Sequence, residues 1–338
     1  MRYAVWNNKG GVGKTFLSFV LATETAVRNP NQPVLLADMC PQANLSEILL
    51  GGNGNGVRNL EHILNQPFRK TIGGYFDERI SSPQQMTGRE SEYLLVARDF
   101  NDNLPPNLYF LCGDPSLEIQ SQVISQIGGQ TLPENTWKNV HNWLLDLINA
   151  CSRKMATGES TVFIDCNPSF SPYTELAIIA AERLIIPCSS DGSSARAIDN
   201  IGSLLYGAGN KGSYKEANFD VKAKKFGLSL PVIHSVVLNR STLYRKNASK
   251  AFNAMFEEIK RRAENLKQET PQSFVTGNLK FNVIPDNHSV AIVCSHLGKP
   301  LNMITHGEYP VHDASPQINS DSLDRYKEAV ASFVASLN

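Results

Sequence analysis

The chain has 338 residues, 41% hydrophobic and 19% charged, which is the balance of a well-cored folded protein and excludes a disordered one. Lys plus Arg equals Asp plus Glu at 32 each, so net charge argues for no partner, and any nucleic-acid surface must be a local patch. Six cysteines lie scattered without a CxxC pair, as in a reduced cytoplasmic protein. The longest apolar run, "LAIIAAERLIIPC", is broken by Glu182 and Arg183, so no membrane-spanning segment is expected.

In chain order, the first predicted strand, "RYAVWN", runs straight into "NKGGVGKT", Asn8 to Thr15, which leaves little room for a cleavable leader. A helix is predicted from Phe16 to Val27. Strand, glycine loop and helix in this order make a phosphate-binding loop. Gly10, Gly11 and Gly13 permit the tight bend that turns backbone N–H groups toward phosphate oxygens. Lys14 supplies a point charge for β- and γ-phosphates, and the Thr15 hydroxyl suits a Mg²⁺ ligand.

The second strand, "PVLLAD", ends at Asp38, followed two residues on by Cys40. Residues 51–132 then change character: "GGNGNG", "SSPQQMTG" and "DFNDNLPPN" read as an extended, turn-rich insertion. Beyond it come "TVFIDC", which closes on Asp165, a helix over Tyr173 to Ala181, and the strands "ERLIIPC", "PVIHSVVLN" and "FNVIP". Each strand is a short, nearly continuous apolar run, as strands covered on both faces should be. Alternation with helices predicts an α/β fold, a doubly wound and mostly parallel sheet. In the tail, 302–338, apolar residues at Leu323, Tyr326, Val330, Phe333, Val334 and Leu337 keep helical spacing. Its charges balance, which favours packing on its own domain over a membrane surface.

"KGGVGKT", with a second lysine at Lys9, resembles the deviant Walker A loop of the ParA/MinD group of P-loop ATPases. The resemblance continues through "LLADMCPQANLS" (switch I), "NLYFLCGDPSLE", "TVFIDCNPS" (Walker B), "VVLNR" and "NVIPDNHSVAIVCSHLGKPL". It spans Lys9 to Leu301 and implies a single P-loop domain over 1–338, the insertion after switch I and the tail being uncovered. It further implies ATP and Mg²⁺ as cofactors and an ATP-driven homodimer in which Lys9 reaches the partner's nucleotide. Nucleotide contacts would come from Lys9, Gly10, Gly11, Val12, Gly13, Lys14, Thr15 and Phe16, with Asn239 and Pro285 at the base. Thr15, Asp38 and Asp165 would serve the metal, and Lys9, Lys14, Asp38 and Cys40 the chemistry. Asp191 falls where relatives place a residue near the dimer interface. Phe16 departs from the usual threonine and removes a hydroxyl near the α-phosphate.

Cys40 is the larger departure, because the family carries there an aspartate that orients or deprotonates the attacking water. A thiol beside Mg²⁺ can ionise, yet thiolate is a poor acceptor for ordering water. Slow hydrolysis with binding and dimerisation retained is the expectation, Gln42 and Asn44 offering amides for the water. Alternatively, Cys40 simply packs beneath the switch.

The ParA-like proteins that the chain resembles bind DNA without sequence preference through basic residues exposed on the ATP-bound dimer. Here Arg240, Arg245, Lys246, Lys250, Lys260, Arg261, Arg262 and Lys267 face only Glu257, Glu258 and Glu264, a net of 8 − 3 = +5. The same residues would also suit a solvated helix face. Partition of plasmid or chromosomal DNA, or positioning of another cargo, is the implied task, with a ParB-like partner and a nucleoid-associated cytoplasmic location. The rivals are a MinD-like membrane-cycling ATPase, a nucleotide-bound scaffold that barely hydrolyses, an iron–sulfur reductase related to the nitrogenase iron protein, and a dethiobiotin-synthetase-type ligase. His288, Cys294, His296, His306 and His312 gather late in the chain at spacings that match no metal motif.

Overall fold

Side-chain alternation along the strands builds the molecule. In the first strand, β1 (Arg2–Val5), Tyr3 and Val5 enter one apolar layer while Ala4, and Trp6 just beyond, enter the other. The second, β2 (Val34–Met39), repeats this, with Leu35, Ala37 and Met39 facing one way and Val34 and Leu36 the other. Two covered faces explain why these strands read as continuous apolar runs. Each fully buried Leu or Phe contributes roughly 1.5–3 kcal/mol.

The computed structural model describes residues 1–52, 54–155, 159–189, 191–209, 218–241, 243–244, 247–248 and 250–337. Six further strands complete the sheet: β3 (Leu95–Val96), β4 (Leu108–Leu111), β5 (Thr161–Cys166), β6 (Arg183–Cys188), β7 (Val232–Ser241) and β8 (Lys280–Pro285). Their order is β8-β7-β6-β1-β5-β2-β4-β3. All neighbours pair in parallel except β3, which runs antiparallel to β4 at one edge. This is the doubly wound α/β sheet that the sequence predicts.

Two segments differ from their sequence reading. Residues 51–132 are not an extended, turn-rich insertion. They hold helices at Asn55–Leu64, Ile72–Ser81 and Leu117–Gly128, and they supply β3 and β4 to the sheet. Short, glycine-interrupted runs conceal these elements, because tertiary burial and not local propensity holds them. The tail first forms a small antiparallel hairpin (Gly307–Glu308 with Gln317–Ile318) and then a helix, Ser320–Ala335. That helix buries Leu323, Tyr326, Val330, Phe333 and Val334 against its own domain. Among the described residues, no helix is long and apolar enough to cross a membrane.

Candidate functional site

The carboxyl ends of β1, β2, β5 and β6 converge where the chain switches from one half of the sheet to the other, the usual place for a ligand in such folds. Register fixes the neighbours: Asp38 lies opposite Asp165, and Met39 opposite Cys166. Over these ends the glycine loop leads into the helix Lys14–Arg28. Gly11 and Gly13 adopt φ of 76° and 80°, left-handed values that glycine accepts freely. A Cβ added at Gly10 or Gly11 would meet nothing beyond its own chain neighbours within 4 Å, so these two positions border open space. That space is a cavity of about 550 Å³, bordered by the loop, Cys40, Gln42, Asn44 and Cys166.

The Lys14 ammonium donates to the carbonyls of Asn7 (3.1 Å) and Lys9 (2.9 Å). Burial lowers its pKa, with Asp165 as the leading opposing charge. Lys9 is fixed at three points. Its N–H donates to Asn7 Oδ1 (2.9 Å), its carbonyl accepts from Lys14, and its ammonium reaches Asp191 and Ser189 Oγ (2.9 Å). Asn7 is itself anchored by donation from Nδ2 to the Pro187 carbonyl (2.7 Å).

The two strand-end aspartates have unlike surroundings. Asp38 accepts from the N–H of Cys40 (3.1 Å) and from both the N–H (2.9 Å) and hydroxyl (2.8 Å) of Ser46. Both its oxygens are therefore engaged with the switch segment and its helix, Asn44–Leu49. Asp165 accepts from Ser18 Oγ at 3.2 Å, while its Oδ2 is buried with no partner, and the nearby Thr15 hydroxyl favours its charged form. Burial, then the nearby Asp38 charge, pushes the Asp165 carboxyl well above the ordinary range. An orphaned, desolvated carboxylate oxygen beside a threonine hydroxyl fits a hard divalent cation such as Mg²⁺. Bound with nucleotide, that cation would neutralise charge on the phosphate oxygens. Thr15 and Asp165 would hold it, and Asp38 would shape the floor beneath.

Cys40 is not a thiolate here: burial foremost, then Asp38, pushes its pKa up to about 12. Its sulfur accepts a weak bond from Asn167 Nδ2 at 3.8 Å. Asn239 and Pro285 border a small recess next to Gly13 and Phe16, and Asn239 Nδ2 donates to the Val12 carbonyl (2.9 Å). The Phe16 ring lies 6.4 Å from that of Tyr326, on the terminal helix. The loop, Asp38, Cys40, Asp165, Asn239 and Pro285, all singled out in the sequence, thus gather at one end of the sheet.

Of the late histidines, His296 and His312 meet (ring centroids 4.7 Å), and among the described residues no group of three or more metal-ligating side chains forms. In the basic stretch, Lys260 pairs with Glu257 (2.9 Å), Arg261 and Arg262 with Glu258 (2.6 Å each), and Arg262 also with Asp199. Lys267 donates to the Gly277 carbonyl. Arg245 and Lys246, and the side chains of Arg240 and Lys250, lie outside the described residues. Sequence reasoning missed Asn7, Ser18, Ser46, Asn167 and Ser189, which brace the site from behind. It also missed Glu47, a partly buried acid at the cavity wall whose pKa burial raises. "SSDGSS" did carry a legible signal, an Asx residue poised to cap a helix.

A parallel sheet with a glycine loop at its switch point, a buried loop lysine and an orphaned strand-end carboxylate define a P-loop nucleotide-binding protein. The family model of the CobQ/CobB/MinD/ParA nucleotide-binding domain matches residues 3–338, and the chain belongs to that family. Its fold is similar to McdA from Cyanothece, solved as an ATP complex (15% identity, 99% of this chain and 95% of that one, TM-score 0.60). It is also similar to protein DIP2308 from Corynebacterium diphtheriae (22%, 84% and 92%, 0.57) and a plasmid partition protein from Borrelia burgdorferi (18%, 99% and 97%, 0.52). No curated protein matches the sequence.

Proposed function

We propose that the chain is a ParA-like switch that binds ATP with Mg²⁺, pairs with a second copy across the nucleotide and hydrolyses ATP slowly. In the paired state it engages nonspecific DNA and a ParB-like partner to move or place a DNA or other cargo. The observation that carries this reading is the two-lysine loop. Gly10 and Gly11 border open space, Lys14 is poised at the loop's centre, and Lys9 stands on the outer rim within reach of solvent. The orphaned Asp165 oxygen beside Thr15 supports the metal. Similarity in fold to a plasmid partition protein and to McdA supports the cellular task.

Sedimentation with and without ATP·Mg²⁺ tests the core of it. The wild type should shift from monomer to dimer, whereas Lys9→Ala and Lys14→Ala should stay monomeric. A wild type that remains monomeric at saturating nucleotide would refute the reading.

One observation favours a second reading, a nucleotide-held regulator with almost no turnover. Cys40 is a half-buried thiol whose pKa burial pushes up, and both Asp38 oxygens are engaged, so neither stands ready to take a proton from water. Single-turnover hydrolysis separates the two: release of phosphate over minutes supports the switch, and intact ATP after many hours supports the regulator.

A further inference from the structure

The Lys9 side chain does not project freely. Its ammonium bonds Asp191 and Ser189 Oγ (2.9 Å), with Ser194 Oγ at 3.5 Å. Ser189 in turn donates its hydroxyl to the same Asp191 oxygen, Oδ2, at 2.9 Å. The other oxygen, Oδ1, accepts from the Ser194 N–H (3.0 Å) and the Ser193 hydroxyl (2.7 Å), which makes Asp191 the N-cap of the helix Gly192–Tyr206. One carboxylate therefore has two tasks, a cap through one oxygen and a hold on Lys9 through the other. These contacts outweigh the effect of partial burial and keep its carboxyl well below the usual range.

We propose that Asp191, with Ser189, is the positioning residue for Lys9: it latches the lysine onto its own subunit until nucleotide arrives. This rests on the reading above, that Lys9 serves a second copy of the chain. The route of release is also present. Lys14 donates to the Lys9 carbonyl, so the loop cation holds the backbone of the residue whose side chain Asp191 holds. A triphosphate drawing Lys14 toward its oxygens removes that backbone tie. The backbone bond to Asn7 stays, and the ammonium's contacts with Asp191 and Ser189 are exchanged for the partner's phosphates as the two copies close. Lys9 and Asp191 are 24% and 46% exposed, so the latch is weak enough to open. An ion pair of this exposure shifts an equilibrium by about two- to fivefold. A two-fold dimer opens two latches, which squares the effect to about 4- to 25-fold in the dimerisation constant.

The test uses the full chain and the variants Asp191→Asn, Ser189→Ala, the double variant and Asp191→Glu. Asparagine keeps the helix cap, so folding is preserved while the charge is removed. The first readout needs no dimer. It is the acetylation rate of Lys9 in the nucleotide-free protein, measured by peptide mass spectrometry against the exposed Lys224 in the same sample. The latch predicts at least a twofold rise in Asp191→Asn, a larger one in the double variant, and a return toward wild type in Asp191→Glu. Equal rates in all the proteins overturn it. The second readout is dimerisation by sedimentation in ATP·Mg²⁺. Association should strengthen about 4- to 25-fold in Asp191→Asn, with nucleotide affinity of the monomer unchanged. Unchanged or weaker association overturns the coupling and makes Asp191 a part of the interface instead. If no protein dimerises while acetylation still responds, the dimer reading fails, and the coupled latch with it.

Discussion

Cys40 and Asp38 differ by two positions and by role. Cys40 is a protonated thiol on the cavity wall, where an ionised carboxylate would accept a proton from water or order it. Cys40→Asp should raise steady-state ATP turnover by about tenfold or more, within the range of general-base effects. An unchanged rate would mean that some other group positions the water. Asp38, by contrast, holds the switch segment through Ser46 and Cys40. Asp38→Ala should cost about 1–3 kcal/mol in urea unfolding, because the buried Ser46 N–H and hydroxyl lose their acceptor. Asp165 contributes an unmet oxygen in place of a brace. Asp165→Asn should therefore abolish the extra thermal stabilisation that Mg²⁺ adds to bound nucleotide, while nucleotide alone still shifts the melting temperature. Full retention of the Mg²⁺ increment would exclude Asp165 as the ligand.

The terminal helix is an element whose period was readable and whose destination was not. Leu323, Tyr326, Val330, Phe333 and Val334 sit on one stripe, and that stripe lies against the helix Lys14–Arg28 and β8. Lys280 Nζ fastens its end by donating to the Ser336 carbonyl (2.6 Å), and His234 Nε2 meets the same oxygen at 3.2 Å. Phe333→Ala should cost about 3–5 kcal/mol, the range for a buried aromatic.

His234, buried and beside Lys280, has its pKa lowered from 6.5 to about 4. The unfolded chain thus binds a proton that the folded one refuses between pH 6.5 and 4, so stability falls as pH drops through that window. His234→Gln should flatten the decline by on the order of 2 kcal/mol in denaturant titrations at pH 7 and pH 4.5, and an identical slope would refute the assignment. The long parallel strands were legible because burial on both faces leaves an unbroken apolar run. Leu95–Val96 is too short to carry such a signature, and Leu108–Leu111 follows a proline-rich stretch that masked it.

At the scale of the whole molecule, the nucleotide end was legible because its backbone chemistry forces glycines and a lysine into a fixed order. The bracing from behind was not. Contacts such as Lys9 with Asp191, 182 residues apart, arise from topology and leave no local trace. The basic stretch stands between these cases: its composition suggests DNA, yet several of its cations already have acceptors. If it does carry DNA in the paired state, affinity should fall steeply from 50 to 200 mM salt. Arg261→Glu with Arg262→Glu should shallow that slope in filter binding or anisotropy, and the same slope in the double variant would move the surface elsewhere.

The strand β4 came from a region that reads in the sequence as a turn-rich insertion, and its placement bears on any attempt to miniaturise the protein. The Gly113 N–H, just past that strand, donates to Ser46 Oγ (2.8 Å), and β4 covers the outer side of β2 from Val34 to Ala37. Excising 51–132 would strip that cover and leave β2 as a bare, hydrophobic margin with its peptide groups unpaired. Such a truncation should yield a sticky fragment that self-associates, not a smaller working switch.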